Sequence, residues 1–89
     1  MPLRAPNQVN QPSEPIRVFV DFEGQRVRPV AFQWGTKRYD VRKVHLVYRR
    51  RVGSRFHWCF SVSDEANTYV LAYDPETLAW RLDVPAVFS

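Results

Sequence analysis

Ten arginines and lysines lie between Arg26 and Arg55: Arg26, Arg28, Lys37, Arg38, Arg42, Lys43, Arg49, Arg50, Arg51 and Arg55. Asp40 is the one acid among them, so the segment carries a net +9. Residues 56–89 hold Arg81 against Asp64, Glu65, Asp74, Glu76 and Asp83, a net −4. Eight of the ten cations are arginine, whose planar guanidinium matches a phosphate or a carboxylate with two parallel hydrogen bonds. Trp34, Tyr39 and Tyr48 are interleaved with them. Cations beside aromatic rings suit a polyanion, because the charge holds its backbone and each exposed ring can stack an unpaired base for about 1–3 kcal/mol. The residues expected to hold phosphates are Arg38, Arg42, Lys43, Arg49, Arg50, Arg51 and Arg55. The competing account is plain solvation of strand surfaces, with cations that also discourage edge pairing.

Other chemistry has little to work with. His57 and Cys59 are two apart on an expected strand, which sets their β-carbons roughly 6–7 Å apart. That exceeds hydrogen-bond reach for a thiol and its base, so Cys59 reads as an inert sheet residue. His45, His57 and Cys59 show no CxxC or HxxxH spacing, and no metal site is expected. Gly24, Gly35 and Gly53 stand alone, which excludes a glycine-rich phosphate loop. Asp40 suits an ion pair with Arg38 or Arg42 better than a general base. The expectation is a protein that is not an enzyme and needs no cofactor.

With 89 residues the chain is one domain at most, and a unit of that size buries only about 60% of its unfolded surface. Its core must therefore be rich in large groups, and six Phe, four Tyr and three Trp supply them. A single cysteine allows no internal disulfide; with no apolar stretch resembling a signal peptide near residue 1 and no apolar run of membrane length in the sequence, neither a leader nor a membrane helix is expected. A cytoplasmic protein without a membrane contact is expected.

Positioning the cations falls to a series of short strands. Residues 1–15 contain four of the seven prolines and few aliphatics, and are expected to form a flexible tail ahead of a β-domain over 16–89. Ile16, Val18, Val20 and Phe22 alternate with Arg17, Phe19 and Asp21, predicting a strand with one buried face. A second strand covers Arg26 to Trp34, with Pro29 placing it at an edge or at a bulge. Over Lys37 to Arg51 the pairs Tyr39/Val41 and Val44/Leu46/Tyr48 are out of phase, predicting a bulge or bend near Arg42-Lys43; a short helix is the rival. Phe56, Trp58, Phe60 and Val62 mark the fourth strand, Tyr69, Leu71 and Tyr73 the fifth, and Trp80, Leu82 and Val84 the sixth. The turn Asp74-Pro75-Glu76-Thr77 has Pro where a type I turn favours it. Six strands at intervals of about ten residues predict an all-β antiparallel meander, a strongly bent sheet of SH3-like or split-barrel character.

The string Phe32-x-Trp34-Gly35-x-x-x-Tyr39-x-Val41-x-x-Val44, followed by Trp58, Tyr69-x-Leu71-x-x-Asp74 and Trp80-x-Leu82, resembles a family of small bacterial β-domains of unknown function. Such domains occur alone or appended to proteins related to Y-family DNA polymerases. The resemblance spans residues 16–84 and implies a compact β-domain with an accessory role near DNA repair or replication, without catalytic residues. The primary expectation is thus a nucleic-acid module contacting DNA or RNA phosphates. Its alternative is a protein-interaction module whose basic face meets an acidic partner, or its own acidic half in a homodimer.

Overall fold

The computed structural model describes residues 13–83, and every regular element among them is a strand. One sheet has five strands in the order β1 (Ser13–Pro15), β8 (Ala79–Asp83), β7 (Thr68–Asp74), β6 (Arg55–Ser63) and β5 (Lys43–Val52). The other has three, in the order β2 (Arg17–Glu23), β3 (Arg26–Trp34) and β4 (Lys37–Asp40). All pairings are antiparallel.

Two bends carry the chain between the sheets. Ile16, between β1 and β2, donates its N–H to the Trp80 carbonyl at 3.2 Å. Val41 donates to Val30 in one sheet (2.9 Å) and the next residue, Arg42, to Ser63 in the other (2.8 Å). The all-β antiparallel class holds, but there are eight strands rather than six, and the sheets do not close into a barrel. The count rises for two reasons. Ser13–Pro15, expected in the tail, pairs with β8, and the stretch expected as one bulged strand splits at Val41-Arg42 into β4 and β5. Residues 1–12 and 84–89 lie outside the described residues.

Packing follows the strand phases. Phe32, Phe60, Val62, Leu71 and Leu82 form the core, with Val18, Trp34, Tyr39, Val44 and Tyr69 against it. Phe32 stacks on Tyr39 with centroids 5.0 Å apart and meets the Tyr69 edge at 5.1 Å. The register passes from Phe19↔Ala31 to Val20↔Pro29, so Val30 is an extra residue and the buried Pro29, which has no N–H to donate, sits at a bulge in a central strand. A second bulge at His45, between the pairs Val44↔Val62 and Leu46↔Ser61, turns Val44 and Val47 inward. Leu46 and Tyr48, expected in the core, consequently point outward, and Leu46 is 57% exposed. Trp58 shares the inward face with Phe60 and Val62 yet is 42% exposed, because the second sheet does not cover that end of β6.

Candidate interaction cleft and the basic segment

Where that cover is missing the sheets part. The β2–β3 hairpin presents Val20, Phe22, Gln25 and Val27 across from Val47, Trp58, Phe60, Tyr73 and Trp80 of the large sheet, enclosing about 490 Å³ of open, mostly apolar space. Phe22 is 72% exposed at its mouth. The positive φ of Gly24 (60°) lets the hairpin tip turn tightly, which keeps both of its strands extended out to Glu23 and Arg26. A shallower slot between β3 and β5 shares Val27 and Val47 and adds Arg26, Arg28, Val44, His45 and Leu46.

The seven cations expected to hold phosphates do not share one face. Period two along β5 sends Arg49 and Arg51 toward the cleft side and Arg50 to the opposite side. Arg49 lies over Phe56 (4.7 Å to the ring centroid) and Trp58 (5.8 Å), and Arg51 over Phe56 (5.6 Å). Neither has a carboxylate within ion-pair distance among the described residues. Arg50 crosses the outer face of the large sheet to Asp83 at 2.6 Å, the carboxylate being buried. Arg55 pairs with Asp74 and with Glu76 (3.3 Å), and His57 Nε2 comes within 3.5 Å of the same Asp74. Arg38 meets Asp40 at 3.2 Å and lies over Phe19 at 4.8 Å, while Arg42 meets Glu65 at 3.4 Å. Lys43 is exposed at the start of β5. Four of the seven are therefore engaged by the chain's own acids, and Arg49 and Arg51 are the pair the fold brings together beside exposed aromatics.

Cys59 is fully buried on the outer face, and burial pushes its thiol pKa up, which keeps it protonated and poorly nucleophilic. Burial likewise raises Tyr48 beside it. Among the described residues no cluster of His, Cys, Asp and Glu has the arrangement of a metal site, and no helix is long and apolar enough to cross a membrane. Of the cleft residues, Phe22 and Trp58 fall on core faces by periodicity, whereas Val27 and Val47 fall in the opposite phase to the expected core positions of their stretches. The signal for their exposure is strand length: β2, β3, β5 and β6 have seven to ten residues, whereas β4 has four and cannot wall the full length of its neighbours. The chain matches no protein-family model, no curated protein and no solved structure.

Proposed function

We propose that the chain is a non-enzymatic binding module that takes an acidic protein partner at the cleft between its two sheets. The observation that carries this reading is the conjunction of an exposed apolar cleft with Arg49 and Arg51, which have no carboxylate partner among the described residues, at its side. Apolar patches with Trp and Arg at their centre and margin are where binding energy concentrates. The two antiparallel sheets, joined by chain bends at Ile16 and at Val41-Arg42, support kinship with SH3-like or split-barrel domains. A second reading, the nucleic-acid module accessory to DNA repair or replication, draws on the stacking of Arg49 and Arg51 against Phe56 and Trp58 and on the resemblance carried by Trp34, Tyr39 and Trp80.

Fluorescence anisotropy separates the two. A labelled peptide of glutamate, threonine and valine should bind, its lysine counterpart should not, and Arg49→Glu with Arg51→Glu should weaken the acidic peptide about tenfold or more. Binding of a ten-nucleotide oligothymidine with no binding of the acidic peptide would overturn the protein reading in favour of the nucleic-acid one.

A further inference from the structure

β5 is a ten-residue edge strand. Its ladder is with β6, and residues 43–52 make no backbone hydrogen bond to the second sheet. The facing edge of β3 is half open as well, since β4 pairs with Ala31–Trp34 and leaves Arg26–Pro29 without a neighbour on that side. Long open edges invite another strand, and proteins usually blunt them with proline, shortness or charge. Here charge is the device present: Lys43, Arg49 and Arg51 along β5, with Arg26 and Arg28 across the slot. Asp21 and Glu23 lie opposite Arg28 and Arg26 on β2, the nearer contact being Arg28 to Asp21 at 4.0 Å between exposed side chains.

That pattern selects the occupant. A second copy pairing antiparallel through β5 about Val47 would set Lys43 against Arg51 at both ends of the ladder, and like charges directly opposite destabilise it. An acidic strand replaces that repulsion with attraction to Lys43, Arg49 and Arg51. Resting on the acidic-partner reading, we infer that the partner binds as an added β-strand on the open edge of β5, in the slot facing β3. Its apolar side chains opposite Val47 enter the cleft beside Val27. Its carboxylates lie opposite Arg49 and Arg51 on that face and toward Arg26 and Arg28 on the other. The ladder bonds are indifferent to the partner's side chains, so the cations and the cleft set which segment is accepted.

The test uses the full chain and an acetylated, amidated octapeptide, Glu-Thr-Glu-Thr-Val-Glu-Val-Thr, in three forms: unmodified, and N-methylated at its odd or at its even amides. In a strand, alternate amides face the ladder. One methylated form is expected to lose about tenfold or more in affinity, with the β5 amides between His45 and Val52 slowed in hydrogen exchange when the unmodified peptide is bound. Equal affinity of all three forms, or binding without protection in β5, overturns strand addition while leaving an acidic partner in place. Failure of the unmodified peptide to bind overturns both.

Discussion

Asp74 gathers three groups onto one carboxylate at the end of β7. Its Oδ1 accepts the Glu76 N–H at 2.9 Å, and its Oδ2 faces Arg55 and His57. Burial on its own would raise the carboxyl pKa, but the Glu76 amide and the Arg55 guanidinium outweigh it and hold the group below the usual carboxylate range. Asp64 is lowered in the same direction by the amides of Asn67 and Ala66. A depressed folded-state pKa means that the folded chain binds the proton less readily than the unfolded one, so this stability is present above about pH 4 and is lost as the pH falls through the folded value. Urea midpoints between pH 7 and pH 2 are expected to fall on the acid side, and Asp74→Asn should lower the neutral plateau and flatten that fall. An unchanged acid limb in the variant would show that these contacts do not contribute. The sequence displays the arginines but not such partners: Arg50 and Asp83 are 33 residues apart, and only the strand order makes them neighbours on one face.

Strand positions were the most legible elements, because alternation in β2, β6, β7 and β8 is local and strong. The bulge forced by Pro29 follows from one missing N–H, and the bend after Asp40 from the phase change between Val41 and Val44. What periodicity does not carry is which half of an inward face receives a cover, hence the exposure of Trp58, or a three-residue strand too short to alternate. β1 is such a strand. It nevertheless ties down the sheet edge: Glu14 accepts from Trp34 Nε1 at 2.9 Å, and Arg81 donates from Nε to the Ser13 hydroxyl at 2.8 Å and from a terminal nitrogen to its carbonyl at 3.0 Å. A chain beginning at Ser13 should therefore melt higher than one beginning at Ile16. Each kcal/mol contributed by these bonds corresponds to about 4–8 °C in a domain of this size. Coincident thermal transitions for the two would show that β1 adds nothing.

Among the described residues, the cations of the basic segment separate into a set engaged by carboxylates and a set that is not, and the separation decides how the molecule meets polyanions. Arg38, Arg42, Arg50 and Arg55 already face acids of this chain, so their presence in the sequence overstates the field available to a ligand. Arg49 and Arg51 project on the cleft side over Phe56 and Trp58. If the nucleic-acid reading is right, the logarithm of affinity for a single strand falls linearly with the logarithm of salt, with about 0.7 of slope for each phosphate neutralised. Replacing Arg49 and Arg51 with alanine should then flatten the slope by up to about 1.4 and lower the melting temperature only modestly, since neither has a carboxylate partner among the described residues and what is lost is their exposed contacts with Phe56, Trp58 and the Gly53 carbonyl. Arg50→Ala should do the reverse. It leaves the Asp83 carboxylate buried without its cation, costing on the order of 1–3 kcal/mol, and leaves the slope as it was. A salt series in oligothymidine anisotropy, run beside thermal melts, reads both quantities. A slope that responds to Arg50 but not to Arg49 and Arg51 would place the polyanion on the outer face of the large sheet and remove the cleft from that interaction.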